Sequence, residues 1–444
     1  MYKTETVKEY ILNEIKQGKI KKGQRIPGCR EVAQQLSVNK ITVNNAFKSL
    51  EDMHILYCVP RGGYYFIGAD VKDVDTAKNF DFQSVKPDPT LIPYRAFTHA
   101  MNRAIEVHKK TLFHYDTPSG FKELRETLKE RFEQNGVYTL TSNILITHGA
   151  QQGLYLALKV LFPNQSKGKL LVEIPTYNSL LDMAKSLNIA CIGIKRNAQG
   201  IDLAELKTIF DKEQIKAFYI IPRHHNPTGY SLLETDKKKI VELCHNYQVL
   251  LIEDDYLADL GSDKRTLPLH YYDTNHLTFY IKSFSKTFMP GIRLGAMIVP
   301  NIFYNSVIEE KYLLDISTSS IPQAALNFFI KSGMYDQHIG KVNACYKRKL
   351  FKAKSILTQM SPARLSFHVP KQGLFVWLTL PAEVSVNRVI EKLAQNNIRI
   401  GSSSPFFVTN NAEQNLRLCI SGIPEADISV LSTVIQVVKD QMQK

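Results

Sequence analysis

The spacing of apolar residues changes period twice along the chain. Between residues 6 and 17, Val7, Ile11, Leu12 and Ile15 recur at helical spacing among charged residues, and Gly18 stops the run, so an amphipathic helix is predicted first. A basic loop closing on Pro27 and Gly28 follows. CREVAQQLS then reads as a second short helix, and Asn39 stands where it would cap a third, KITVNNAFKSLEDM. After that the pattern turns to strand: ILYCVPRGGYYFIG holds two aromatic and β-branched runs parted by Pro60, Arg61, Gly62 and Gly63, the signature of a hairpin. Three short helices and a hairpin within residues 1–68 predict a winged helix-turn-helix.

Residues 68–79, GADVKDVDTAKN, are polar and without hydrophobic period, so residues 69–79 are expected to be a linker. Twelve residues of flexible coil span roughly 20 Å, which keeps the first domain near some part of a dimer of the second. From residue 80 to 444 helical patterns alternate with buried-strand runs: ILITHG, KLLVEIP, ACIGIK, KAFYIIP, VLLIED, LTFYI and RLGAMIV. That alternation predicts an α/β fold with a mainly parallel sheet covered by helices on both faces. From about residue 361 the rhythm changes to LFVWLTL, IRIG and NLRLCIS with intervening helices, predicting a smaller α+β lobe.

Composition narrows the class. At 444 residues, 44% hydrophobic and 22% charged, the chain is a globular protein of more than one core, not a disordered or fibrous one. No apolar run approaches the roughly 18 to 20 residues a membrane helix needs, and nothing in the charged N-terminus reads as an export signal. The six cysteines are scattered with no CxxC pair, so they are expected as reduced thiols of a cytoplasmic protein and neither a disulfide frame nor a metal site. The formal charge of +14 favours an anionic partner. Residues 1–70 hold eleven Lys or Arg against seven Asp or Glu, a net of +4, so most of the excess lies further on. Residues 15–30 contain Lys16, Lys19, Lys21, Lys22, Arg25 and Arg30 and no acidic residue, and make a local positive patch.

The sharpest chemical signal is YIKSFSKTFMPGIRLGAMIVP, residues 280–300: a strand, a hydroxyl-rich turn with Lys286, and Arg293 seven residues later. This segment resembles the lysine site of the fold-type I pyridoxal-phosphate enzymes, the class I and II aminotransferases. The resemblance implies that Lys286 is the catalytic, aldimine-forming lysine, that Ser283 and Ser285 give hydroxyls to the cofactor phosphate, and that Arg293 gives it a forked cationic partner. Further motifs follow in the family's order. Asp254 in LLIEDDYLADL would hold the pyridinium nitrogen, Tyr256 and the Asn226 of NPTG would reach the phenolic oxygen, and Tyr177 would stack on the ring. Gly149 between strand and helix would aim the N–H groups of Ala150 and Gln151 at phosphate. Arg417 in NLRLCIS would bind a substrate α-carboxylate, and Tyr115 would reach the phosphate across a dimer interface. Asn178, Ser179 and Leu180 follow Tyr177, so no second carboxylate-binding arginine is evident there. All these groups fall at strand C-termini or the turns after them, where open α/β sheets bind ligands.

Residues 1–70 resemble the GntR family of winged helix-turn-helix regulators, through GKIKKGQRIPGCREVAQQLSVNKITVNNAFKSLEDMHILYCVPRGGYYF. The third helix offers Asn39, Lys40, Thr42, Asn44 and Asn45 to a major groove, with Arg30 and Arg61 for phosphates or the minor groove. Lys40 stands where the family usually has arginine, and Asn39 where it has serine, which leaves the operator preference open. A GntR-like head on an aminotransferase-like body is the layout of the MocR subfamily. The resemblance implies a homodimeric regulator that binds double-stranded operator DNA and pyridoxal 5'-phosphate, with an amino compound or the cofactor itself as signal. The competing expectation is a working aminotransferase of the kynurenine or aminoadipate type with an accessory head.

Overall fold

The computed structural model describes residues 3–53, 55–59, 62–68, 78–163, 167–261, 266–409 and 414–442. The chain divides into two compact units, Met1–Lys78 and Asn79–Lys444. Residues 69–77, expected as linker, and the Pro60–Arg61 tip of the wing lie outside the described residues.

The first unit is α1 (Lys3–Lys16), α2 (Cys29–Gln35), α3 (Lys40–Asp52), β1 (Leu56–Val59) and β2 (Gly63–Phe66). Val7, Ile11 and Ile15 of α1 meet Val43, Phe47 and Leu50 of α3, with Leu56 and Phe66 from the hairpin closing the core. The antiparallel ribbon pairs Leu56 with Phe66 and Val59 with Gly63. Asn39 caps α3, its Oδ1 accepting from Ile41 N at 2.9 Å.

The second unit begins with β3 (Phe80–Asp81), α4 (Tyr94–His108) and α5 (Lys122–Gln134), then enters its sheet with β4 (Ile144–Thr147), α6 (Gly149–Leu161), β5 (Lys169–Ile174), α7 (Asn178–Ser186), β6 (Cys191–Asn197) and β7 (Gly200–Ile201). It continues through α8 (Leu203–Lys212), β8 (Ile215–Ile220), α9 (Glu234–Asn246), β9 (Leu250–Asp254), β10 (Thr278–Ser283) and β11 (Gly295–Ile298). The eight strands run in the order β4-β11-β10-β9-β8-β5-β6-β7. The central pairs are parallel, and β11 runs antiparallel to both β10 and β4. Their buried Leu, Ile and Val positions on both faces are what a helix-covered sheet requires.

Helices α10 (Tyr304–Asp315), α11 (Ser320–Lys331) and α12 (Met334–Met360) lead to the smaller lobe. There β12 (Ser366–His368), β13 (Phe375–Thr379) and β15 (Asn415–Cys419) form an antiparallel sheet. It packs with α13 (Val386–Gln395) and α14 (Leu431–Met442), while β14 (Ile398–Arg399) pairs with β3. This lobe is not built from the C-terminal residues alone, as the change of rhythm near residue 361 suggested. Phe82, just after β3, and Leu350, Ala353 and Leu357 of α12 fill its core. None of the described helices is long and apolar enough to cross a membrane.

A buried ionic cluster ties α5 and α12 to the end of the sheet. Asp259 accepts from Lys282 Nζ at 2.6 Å, Tyr335 OH at 2.8 Å and Arg131 Nη2 at 3.3 Å. Despite burial, these cations hold its carboxyl down to about 2. Removing the Asp259 carboxylate leaves the buried Lys282 ammonium without its ion-pair partner, while Arg131 keeps Asp336 at 2.6 Å. An uncompensated buried charge costs about 3 to 5 kcal/mol. Asp259→Ala is therefore expected to lower the urea midpoint of the second unit by that stability, measured by circular dichroism; an unchanged midpoint would contradict the assignment.

Candidate functional site

Three carboxylates come in a row, Glu253 and Asp254 ending β9 and Asp255 following it, and their side chains alternate in direction. Glu253 turns to the side of the loop after residue 266 and accepts from Leu269 N and His270 N, both at 2.8 Å. Burial and the neighbouring Asp255 push it up to about 8. Asp255 is held below the usual carboxylate range by Arg223, with which it pairs, and by Tyr280 OH at 2.7 Å. Asp254 faces the other way, into a cavity of about 280 Å³. Its Oδ2 accepts from Tyr219 OH at 2.8 Å, and its Oδ1 is buried with no hydrogen-bond partner. Burial raises this carboxyl to about 7.

Around the same cavity stand Lys286, Tyr256, Asn226, Tyr177, Ala150, Gln151, Ser283, Ser285, Arg293 and Arg417. Ser283, Ser285 and Lys286 come from the end of β10 and the turn after it, Ala150 and Gln151 from the first turn of α6, and Tyr177, Asn226 and Tyr256 from the turns after β5, β8 and β9. Arg417 lies within β15 and Arg293 ahead of β11, so not every group falls at a strand C-terminus as expected. The sheet order sets β8, β9 and β10 side by side so that their C-termini converge. Lys286 Nζ donates to Val85 O at 3.0 Å. Burial holds the amine below the usual lysine range, and the guanidinium groups of Arg293 and Arg417 push the same way. A lowered pKa enlarges the neutral, nucleophilic fraction of the amine at any given pH.

At one end of the cavity, Ala150 and Gln151 lie in the first turn of α6, beside Arg293 and the Ser283–Ser285 turn, where Ser283 Oγ accepts from Ser285 N at 3.1 Å. Arg293 is in the left-handed region, φ 51°, two residues before β11, not at the start of the strand as its sequence position suggested. Its Nη2 donates to His148 O at 3.3 Å. Two glycines permit this approach. A Cβ on Gly149, φ +75°, would lie 3.1 Å from Arg293 Nη2, and one on Gly295 would lie 2.7 Å from the Gly149 carbonyl carbon. Helix N-terminus, hydroxyls and guanidinium make an anion cradle.

At the other end, Arg417 is buried between Phe375 and Phe406, its Cζ 4.9 and 4.8 Å from the ring centroids. It donates to Asn226 Oδ1 at 3.0 Å and to Gln83 O at 2.6 Å. Tyr177 OH accepts from Gln151 Nε2 at 3.2 Å, and Tyr256 OH donates to His224 O at 2.8 Å, so neither hydroxyl is idle. Tyr115 is 85% exposed and does not line the cavity within this chain.

The donor set suits a molecule with an anionic group at the cradle, an aromatic cationic nitrogen at Asp254, and a carbonyl within reach of the Lys286 amine. The unpaired Oδ1 of Asp254 is the most telling part, because a buried carboxylate oxygen without a partner is costly. Sequence reasoning missed Tyr219, Val85, Ile221 and Gln83 O. Tyr219 follows two residues after Ala217 in an apolar run with no polar pattern, and the Val85 and Gln83 groups are backbone carbonyls, which no side-chain motif marks.

In the first unit, Arg30, Asn39, Lys40, Asn44 and Asn45 are exposed and Thr42 is half-buried. Asn39 spends its Oδ1 on the cap, which leaves its Nδ2 for other contacts. Ile41, 65% exposed at the start of α3, is an apolar group suited to a thymine methyl that side-chain polarity alone did not flag. Arg61 lies outside the described residues.

Comparison with known proteins places both units. Residues 3–66 match the family "Bacterial regulatory proteins, gntR family", and residues 90–435 match "Aminotransferase class I and II". The uncharacterized HTH-type transcriptional regulator YcxD of Bacillus subtilis is 36% identical over 412 residues, covering 91% of this chain and 93% of that one. The chain belongs to the MocR type of HTH transcriptional regulators. HTH-type transcriptional regulator NorG of Staphylococcus aureus is 25% identical to this MocR-type chain, with 89% of this chain and 94% of that one covered. The second unit of this chain shares the fold of LysN, an α-aminoadipate aminotransferase from Thermus thermophilus, with TM-score 0.76, 23% identity, and 82% and 93% of the two chains covered. The MocR-type chain is thus a DNA-binding transcription regulator with an aminotransferase-like domain.

The raised carboxyl of Asp254 gives a pH test on the cofactor-free protein. A carboxyl whose folded pKa exceeds its unfolded value of about 3.9 contributes stability fully present below that value and lost as pH rises through about 7. Asp254→Asn, which keeps an acceptor for Tyr219, is expected to melt higher than the parent at pH 8, by the equivalent of at most about 4 kcal/mol, with the gap closing as pH falls toward 4. A melting-temperature difference that does not change with pH would contradict this.

Proposed function

We propose that this regulator binds pyridoxal 5'-phosphate covalently through Lys286 and uses that site to sense an amino compound. The observation that carries the reading is the convergence on one cavity of Lys286, the unpaired Asp254 oxygen, the anion cradle and Arg417. Asp254, with Tyr219 behind it, would hold the ring nitrogen. Ala150, Gln151, Ser283, Ser285 and Arg293 would hold the phosphate. Tyr177 would cover the ring, and Asn226 and Tyr256 would stand at its phenolic oxygen. When bound, the cofactor supplies an aldehyde carbon that exchanges one amine for another. Tyr115, from a second copy in a homodimer, would complete the phosphate site.

The rest is done by this chain's own groups. An incoming carboxylate would take the Arg417 guanidinium, which now donates to Asn226 Oδ1 and Gln83 O, while engagement of the Lys286 amine would remove its bond to Val85 O. Both displaced carbonyls belong to the segment after β3. That segment is further held by Cys419 N to Phe82 O at 2.9 Å, Ser421 Oγ to Lys86 O at 2.6 Å, and Arg399 Nε to Gln83 Oε1 at 3.0 Å. In sequence it continues directly from the residues that lead to the DNA-binding unit. Ligand occupancy at Lys286 and Arg417 therefore changes the restraints on that segment. A differential free energy of about 1 to 3 kcal/mol between two arrangements suffices to alter operator affinity.

The experiment is a visible absorption titration of the purified protein with pyridoxal phosphate and then with amino acids, paired with binding to a duplex from its own promoter region. Lys286→Ala is expected to lose the cofactor band and the amino-acid response and to keep basal DNA affinity, and hydrogen exchange at Phe82 to Lys86 is expected to rise with the responding amino acid in the parent only. Steady turnover of amino and keto acid pairs at about 1 to 1000 per second without a change in DNA affinity would instead favour an aminotransferase.

A further inference from the structure

The charge of the second unit is concentrated in one place. Residues 337–382 contain eight Lys or Arg and no Asp or Glu, a net of +8 out of the +14 of the whole chain. Most of this stretch is α12, whose inner face is buried through Val342, Cys345, Tyr346, Leu350, Ala353 and Leu357. The outer face carries the cations in two adjacent stripes. Lys347, Phe351, Lys354 and Thr358 follow at i, i+4, i+7 and i+11, and Lys341, Arg348, Lys352 and Ser355 lie alongside. From Lys341 to Lys354 the helix rises about 20 Å.

Not all of these charges are available. Lys349 is buried with Asp88 at 2.8 Å. Glu425, from the segment packed on α12, takes Arg348 at 2.9 Å and Lys352 at 3.1 Å, and Arg364 pairs with Glu383 at 2.7 Å. Lys341, Lys347, Lys354 and Lys371 are exposed and have no ion-pair partner among the described residues. Beside Lys354, a shallow groove lined by Phe351, Ser355, Thr358 and Gln359 adds hydroxyl and amide donors.

We propose that the outer face of α12 is a second, sequence-independent DNA-binding surface that grips backbone phosphates. Over 20 Å of duplex about twelve phosphates are presented, so a lysine stripe of this length meets several at once. Lysines act there as point charges, with Ser355 and Thr358 as hydrogen-bond donors, which positions DNA without reading bases. The partner is nucleic acid because the same chain carries a GntR-family unit that brings duplex to it, and covalent linkage raises the local concentration of that duplex. The inference is independent of the cofactor reading and does not require occupancy at Lys286.

The test is the salt dependence of binding of the full-length protein to a random-sequence duplex several helical turns long, followed by fluorescence anisotropy. Each phosphate contact adds about 0.9 to the slope of log affinity against log salt. Lys341→Gln/Lys347→Gln/Lys354→Gln is expected to flatten the slope by about 2.7 and to weaken binding on the order of tenfold at moderate salt. The Lys→Arg triple at the same positions is expected to keep both. Lys212→Gln/Lys238→Gln/Lys239→Gln, the same charge change on exposed lysines of α8 and α9, is expected to leave the slope unchanged. Equal slopes for the α12 Gln triple and the parent would overturn the proposal. So would an equal loss in the α8/α9 control, or an α12 triple that loses only binding to phosphatidylserine vesicles.

Discussion

A carboxylate held away from water at the end of a buried strand must find a positive partner or keep its proton. Asp254 has neither fully within the chain: Tyr219 satisfies one oxygen, the other is left bare, and burial lifts the group to about 7. Its neighbours show that the fold can neutralise such a charge when it needs to, since Asp255 has Arg223 and Asp259 has Lys282 and Arg131. The unmet oxygen at 254 alone is aimed into the cavity, between an amine, an anion cradle and a second guanidinium. On the proposed reading, the cationic ring of the cofactor supplies the partner that this oxygen lacks.

On the proposed reading, the same cavity bears on regulation through backbone groups. Lys286 and Arg417, the two cations that an amino acid would engage, each hold a carbonyl of the segment following β3. That segment is pinned to the small lobe at Arg399, Cys419 and Ser421 and precedes the rest of the second unit in sequence. Chemistry at the strand ends and restraint on the chain leading from the DNA-binding unit thus share the same hydrogen-bond donors. A ligand that competes for those donors has the differential interaction with two states that coupling requires.

Much of this was legible before any coordinates. The 3.6 and 2.0 periods gave the helices and hairpin of the first unit and the strand runs of the second, because both rest on local burial patterns. Lys286, Asp254 and Asn226 were visible as types at strand ends or the turns after them, Arg293 at a strand start and Arg417 within a strand, and all five line one cavity. What was not legible depends on long-range pairing. Tyr219 is a partner of Asp254 only because β8 lies beside β9. Gln83 and Val85 act through their carbonyls, and Phe82 joins the small lobe from the far end of the domain. Arg293 reads as a strand residue because the left-handed turn that aims it carries no side-chain pattern of its own.

The account stands on covalent occupancy of one amine in that cavity. Borohydride reduction of the full-length protein after incubation with pyridoxal phosphate, followed by proteolysis and mass spectrometry, reads that directly. The account predicts a single pyridoxyl-modified peptide containing Lys286, formed in the parent and strongly diminished in Asp254→Ala. An unmodified Lys286, or modification spread over surface lysines and indifferent to the Asp254 substitution, would contradict it.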